Sequence, residues 1–315
     1  MHANGKNILV VLGPTASGKT SLGVHLAHAH GGEVISADSR QVYRGLDIGS
    51  GKDLDEYTLG EKTIPYHLID VTDLGHEFSV FEYQRRFFQT LESLHTRRAL
   101  PIVVGGTGLY LASILNGYRM VDTPENPVLR AELADLSHEI LIERLESLKG
   151  KLHNVTETRD RDRLVRAIEI AAYAQTHEPE PAPPIDALIL GTRWDRAKLH
   201  DRIARRLRER LDSGMIEEVR VLLDSGISAE TLRFLGLEYR FVTDLFEGDI
   251  KNKNDLFQKL NVAIRNFAKR QETWFRRMER NGAEIHWINE GDSADALEIT
   301  RKWFPLTNGE PSSSE

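Results

Sequence analysis

Residues 7–20 read NILVVLGPTASGKT, and this stretch decides the fold. Ile8 to Leu12 form an apolar run of the length and character of a strand buried on both faces. It ends at Gly13, where GPTASGKT (13–20) matches the G-x-x-x-x-G-K-[ST] phosphate loop. A helix is expected from Gly18 to about His30, so the motif lies between a strand and a helix, as its physics requires. Its glycines let backbone N–H groups converge on phosphate oxygens, and the helix adds its N-terminal dipole. Gly13, Pro14, Thr15, Ala16, Ser17, Gly18, Lys19 and Thr20 are therefore the candidate phosphate-binding residues. Lys19 is the charge for the phosphates, and the Thr20 hydroxyl is the candidate ligand for Mg²⁺. Such a loop on its own most often binds a nucleotide such as ATP, in hydrolases and kinases that use a second carboxylate for Mg²⁺. Asp70, at the end of HLIDV (67–71), is the candidate for that carboxylate.

Working outward, EVISA (33–37), YHLIDV (66–71) and Pro101 to Val104 read as further strands, with a helix over 79–97 between the last two. Strands alternating with helices imply a parallel sheet. The fold class is therefore α/β, a P-loop NTPase-like parallel sheet with an inserted helical domain. The insertion is 118–185, where 127–148 and 160–176 read as helices and HEPEPAPP (177–184) as a proline-rich connector. ALILG (187–191) returns the chain to the core, which comprises 1–117 and 186–305. Asp195 is a candidate N-cap for a helix reaching Leu211. A long helix is expected from Asn254 to about Arg280, with Leu256, Leu260, Ala263, Phe267 and Trp274 as its apolar stripe. EIHWI (284–288) reads as a last edge strand, and 306–315 as a disordered tail.

The chain has 315 residues, a formal net charge of −7 and no cysteine. Thiolate catalysis, disulfides and cysteine-ligated zinc are thereby excluded. No apolar run reaches the roughly 20 residues that span a bilayer, and a cytoplasmic location with no membrane partner is expected.

The second informative stretch, residues 34–52, reads VISADSRQVYRGLDIGSGK. Asp38 follows a strand directly, and ligands in open parallel sheets bind outside the carboxyl ends of strands. Asp38 is thus expected near the phosphate loop, taken to end the neighbouring strand. Together, GPTASGKT, ISADSRQVYRGLDIGSGK, PYHLID and VVGGTGLY resemble the tRNA dimethylallyltransferase family, the tRNA isopentenyltransferases. DRLVRAIEI (162–170), HDRIARRLRERLDSGMIEEV (200–219) and FAKRQETWFRR (267–277) extend the resemblance over most of the chain.

The resemblance implies transfer of a dimethylallyl group from dimethylallyl diphosphate to the exocyclic amine of adenosine 37 in tRNA. It implies Asp38 as the proton acceptor, with Thr20, Lys19 and Arg206 acting on the diphosphate held by residues 13–20. It implies tRNA contacts from Asp38, Ser39, Arg40, Gln41, Thr107, Asp162, Arg163, Arg166 and Arg233. Lack of cysteine resembles the bacterial form, which has no zinc finger; no protein partner is implied and a monomer is expected. GKLHNVTETRDRD (150–162) is shorter than its family counterpart, and RFLGLEYR (233–240) reads two residues longer. Prenylation of free AMP and a small-molecule kinase are the alternatives; the first needs neither an insertion nor basic C-terminal segments.

The charges are segregated. Residues 47–82 hold nine acidic and two basic residues, whereas 193–210 hold eight basic and three acidic. Residues 265–280 hold six basic and two acidic. Arg202, Arg205, Arg206 and Arg210 recur at spacings of three and four, which places cations along one helix face. Basic surfaces of this kind suit a phosphate backbone. Tyr43, Tyr110, Phe234 and Tyr239 are candidate platforms for stacked bases. The small residues of GGTG (105–108) are read as leaving room for a substrate beside the backbone.

Overall fold

The computed structural model describes residues 5–118, 120–149, 160–178 and 182–307. It divides into two compact units, 1–117 with 184–315, and 118–183. In the first unit, β1 (Ile8–Leu12) leads to α1 (Lys19–His30) and β2 (Gly32–Ala37). A short 3₁₀ turn (Leu54–Tyr57), a small hairpin of β3 (Thr58–Leu59) and β4 (Lys62–Thr63), and β5 (Tyr66–His67) follow. Next come α2 (Val80–Thr96), β6 (Leu100–Gly105) and α3 (Gly108–Leu115).

The second unit holds α4 (Pro127–Leu133), α5 (His138–Lys149) and α6 (Arg161–Ala174). The core resumes with β7 (Ala187–Arg193), α7 (Arg196–Asp212), α8 (Met215–Asp224), α9 (Ala229–Phe234) and α10 (Leu237–Phe246). It closes with α11 (Lys253–Arg280), β8 (Ile285–Asn289) and α12 (Ser293–Thr300).

The main sheet is parallel in the order β5-β2-β6-β1-β7-β8. Every residue of β1 is fully buried. Ile8, Val10 and Leu12 join one apolar cluster, while Leu9 and Val11 join a second with Leu22, Leu26 and Phe304. This alternation is the pleat of a strand covered on both faces. Ala37, Gly105, Leu12 and Gly191 are in register across four adjacent strands, so the loops after them emerge along one edge.

Several expectations change. β6 lies between β1 and β2, so Asp38 does not follow the strand next to the phosphate loop. The strand expected over 66–71 ends at His67, because Leu68 and Asp70 take positive φ values of 60° and 54°. The run 127–148 is two helices. On α11 the buried face is Leu256, Leu260, Ile264, Ala268, Phe275 and Met278, while Phe267 points outward beside Arg270. The helix α12 carried no clear signal in the sequence. The tail beyond 307 and residues 150–159 of the shortened segment lie outside the described residues. Among the described residues no helix is long and apolar enough to cross a membrane.

The helical unit is organised around a buried carboxylate. Glu169 has a fully buried side chain and accepts hydrogen bonds from Asn126 N–H (2.9 Å), Arg130 (2.8 and 3.0 Å) and Arg166 (3.1 Å). Burial alone would raise its pKa, but these donors hold it at about 2. A depressed carboxylate stabilises the fold fully above its unfolded value of 4.5 and loses that contribution as pH falls towards 2. Glu169→Ala should destabilise this unit by about 3 kcal/mol. Acid unfolding followed by circular dichroism should show that the variant has lost the wild-type stability change in that pH window.

Candidate active site

The phosphate loop is held through its carbonyl oxygens. Arg202 Nε donates to Ala16 O (2.8 Å), Trp194 Nε1 donates to Ser17 O (2.9 Å), and Lys19 Nζ lies 3.4 Å from Pro14 O. Ser17 Oγ receives a hydrogen bond of 2.6 Å from Thr192, at the end of β7. Gln271 of α11 clamps the loop to the next strand: its Oε1 accepts from Thr15 N–H (2.8 Å) and its Nε2 donates to Gly106 O (3.0 Å). With these carbonyls engaged, the first-turn N–H groups of α1 at Lys19, Thr20 and Ser21 are donors for an anion. Gly13 is required by contact, since a Cβ there would sit 2.0 Å from Thr192 Oγ1.

Across from this loop stands the cationic face of α7. Ala16 to Thr20, the segment Lys52 to Glu56, and Arg202, Arg205, Arg206 and Arg210 line one cavity of about 640 Å³. Leu199, Ile203, Leu207 and Leu211 anchor the helix in the core and turn the arginine row towards the cavity. Arg202 is also stacked on Trp194, with the guanidinium carbon 4.2 Å from the ring centre. Arg206 is ion-paired to Asp53.

Burial lowers the Lys19 pKa to about 8, with Arg206 and Arg210 acting in the same direction and Asp38 as the strongest opposing charge. Burial pushes the Glu56 carboxyl up despite Arg206 and Lys19. Burial also disfavours charge on Asp53, but Arg206 and Arg210 outweigh it and hold the group below the usual range.

Asp38 is half-buried at the end of β2. Its Oδ1 accepts from Arg40 N–H (2.9 Å), and Oδ2 has no protein hydrogen-bond partner among the described residues. Thr107 Oγ1 accepts from Ser39 N–H (3.0 Å), tying the two strand-end turns together. Thus the structure brings Asp38, Lys19, Thr20 and Arg206 to one edge of the sheet.

Other candidates are placed differently. Gln41 is buried, with its side chain engaged by Ser36 (2.8 Å) and Gly51 O (3.0 Å), so it has no free edge for RNA. Arg40 packs along Gly236. Arg233 is committed to Asp244 (2.8 Å) and Glu247. In the helical unit, Arg166 is committed to Glu169 and to Thr123 O (2.7 Å), while Asp162 and Arg163 are exposed on the first turn of α6.

Asp70 is paired to the buried Lys52 and does not line the cavity of the phosphate loop, so it is not a second metal carboxylate beside the loop. Tyr43, Tyr110 and Tyr239 are core residues rather than platforms; only Phe234 of that group is exposed. The room read into GGTG is filled by the chain itself. A Cβ at Gly105, Gly106 or Gly108 would meet Ala37 O (2.2 Å), Gln271 Nε2 (2.3 Å) or the Trp274 ring (2.5 Å). Gln271, Thr192, Trp194 and Asp53 escaped the sequence reading, because no local pattern marks a side chain that reaches the loop from distant sequence.

A lysine held at about pKa 8 loses its charge as pH rises through that value. The affinity of this cavity for inorganic pyrophosphate should therefore fall above about pH 8. Calorimetric titration on both sides of that pH should show the decline in the wild type, and Lys19→Met should remove it.

A family model described as IPP transferase matches residues 41–278. The tRNA dimethylallyltransferase 1 of Geotalea uraniireducens is 57% identical over 298 residues, covering 94% of this chain and 97% of that protein. The corresponding protein of Geotalea daltonii is 58% identical over 291 residues, covering 92% of each. The chain is also similar to the crystal structure of the full-length tRNA isopentenylpyrophosphate transferase of Bacillus halodurans. There the identity is 30%, the TM-score 0.66, and the coverage 94% of this chain and 95% of that one. A eukaryotic dimethylallyltransferase acting on tRNA shares the fold at a TM-score of 0.75 and 21% identity, over 96% of this chain and 81% of that one.

Proposed function

The chain belongs to the IPP transferase family, and from that premise we propose that it moves a dimethylallyl group from dimethylallyl diphosphate to the exocyclic amine of adenosine 37 in tRNA, releasing diphosphate. The observation that carries this reading is a cavity whose phosphate loop faces a row of arginines, with Asp38 the carboxylate that acts most strongly on the charge of Lys19 in that loop.

The adenine amine is a weak nucleophile, because its lone pair is delocalised into the ring. Asp38 can take its proton through Oδ2 as the new C–N bond forms, while Oδ1 stays fixed by Arg40 N–H. The allylic C–O bond breaks as the diphosphate leaves with the electron pair. Lys19, Arg206 and the loop N–H groups meet the charge that develops on it.

A magnesium ion fits the donor set through the Thr20 hydroxyl, which lines the cavity. Among the described residues no group of three or more His, Asp or Glu could hold a metal, so diphosphate oxygens and water would complete its shell. Such an ion supplies further charge neutralisation for the leaving group. We assign the protein to the cytoplasm as a monomer whose partners are tRNA and dimethylallyl diphosphate. Ser39 and Thr107 at the strand-end turns, and Asp162 and Arg163 on α6, are the residues we assign to the tRNA. Arg40, Gln41, Arg166 and Arg233 act through the elements they hold.

Labelled dimethylallyl diphosphate offered with tRNA lacking the modification, with AMP, or with ATP and small acceptors separates the readings. Label should enter tRNA alone; label in AMP, or none in tRNA, would sink this one. Asp38→Ala should lower turnover by about 10²- to 10⁴-fold while tRNA affinity stays close to wild type. A variant near the wild-type rate would remove Asp38 from the base role.

A further inference from the structure

Arg210 is the last of the four arginines that α7 turns to the cavity, and its surroundings differ from those of Arg202 and Arg206. Arg202 is used by Ala16 O and Trp194, and Arg206 by Asp53. Arg210 is more deeply buried, with 12% of its side chain exposed. Its nearest carboxylate oxygens are Asp53 Oδ2 at 3.7 Å and Glu238 Oε1 at 3.8 Å, both beyond hydrogen-bond distance. Its Nε is buried without a hydrogen-bond partner among the described residues. A guanidinium carries five donors, and leaving them unmade in a desolvated place is costly.

The geometry around it converges on an anion position. Asp53 Oδ2, the oxygen that Arg206 Nη2 contacts, is also the one nearest Arg210 Nη2. Gly51, at φ 66°, leaves the space for both groups: a Cβ there would lie 1.7 Å from Arg210 Nη2 and 3.0 Å from Arg206 Nη2. Thus two guanidinium groups meet over one glycine, on the wall opposite the phosphate loop. A single phosphate seated in the loop offers one compact set of oxygens there. A diphosphate adds a second set, and its second phosphate is the part that reaches away from the loop.

We infer that Arg210 is a second cation of the diphosphate site, which with Arg206 binds the oxygens of the leaving diphosphate that the phosphate loop does not take. Asp53 keeps the two forks in register, and Gly51 is the residue that lets them approach. The inference rests on the dimethylallyl transfer reading of the same cavity.

The test is calorimetric titration of the full chain with inorganic pyrophosphate and with inorganic phosphate. Wild type should prefer pyrophosphate. Arg210→Met should weaken pyrophosphate by about tenfold to a hundredfold and phosphate much less, so the preference collapses. Arg210→Met combined with Glu238→Gln removes both members of the buried pair and guards against misfolding. Arg210→Lys, which keeps the charge without the fork, should fall between. Pyrophosphate affinity within about twofold of wild type in the folded variants would overturn the inference, whatever their melting temperatures. Wild type that transfers label to tRNA yet shows no preference for pyrophosphate would overturn it while leaving the proposed function intact. Wild type that shows the Arg210-dependent preference but transfers no label would do the reverse.

Discussion

Lys19, Arg202, Arg206 and Arg210 stand around one cavity, and like charges so close in a partly desolvated place repel. The structure holds them there by giving most of the cations a specific counterweight. Arg202 lies between the Trp194 ring and Ala16 O, Arg206 is paired to Asp53, and Arg210 has Asp53 and Glu238 nearby. Lys19 is opposed mainly by Asp38. The cost of assembling the cations is met at folding rather than when a phosphate-bearing substrate arrives, which is the essence of electrostatic preorganisation.

The same arrangement explains why the carbonyls of the phosphate loop are given donors. A loop carbonyl left without a donor beside the cavity would repel an anion. Arg202 and Trp194 donate to Ala16 O and Ser17 O, and Gln271 fixes Thr15 relative to Gly106. Fold and chemistry meet at these contacts: α7 and α11 bury apolar stripes in the core, and the residues beside those stripes hold the loop.

Much of this was legible in the sequence, since buried parallel strands are continuous apolar runs and a phosphate loop has fixed spacing. The cationic face of Arg202, Arg205, Arg206 and Arg210 was readable from its spacings of three and four. Strand order was not, because nothing local to β6 says that it inserts between β1 and β2. The glycines of GGTG were misread for a similar reason: their small size admits Ala37, Gln271 and Trp274 of the same chain, two of them more than 160 positions away. Tyr43, Tyr110 and Tyr239 read as candidate platforms because the sequence does not reveal the interior partners they find: Phe78 N–H for Tyr43, the Tyr83 ring for Tyr110 and Glu218 for Tyr239. Asp53 lay in an acidic stretch with no motif, and its meaning comes only from the arginines it faces.

The most direct measurement is a crystal structure of the protein with inorganic pyrophosphate and an anticodon stem-loop. The account predicts diphosphate between the phosphate loop and the Arg206–Arg210 pair, with the adenine amine about 3 Å from Asp38. Diphosphate seated away from that wall, or an adenine amine out of hydrogen-bond reach of Asp38, would contradict it.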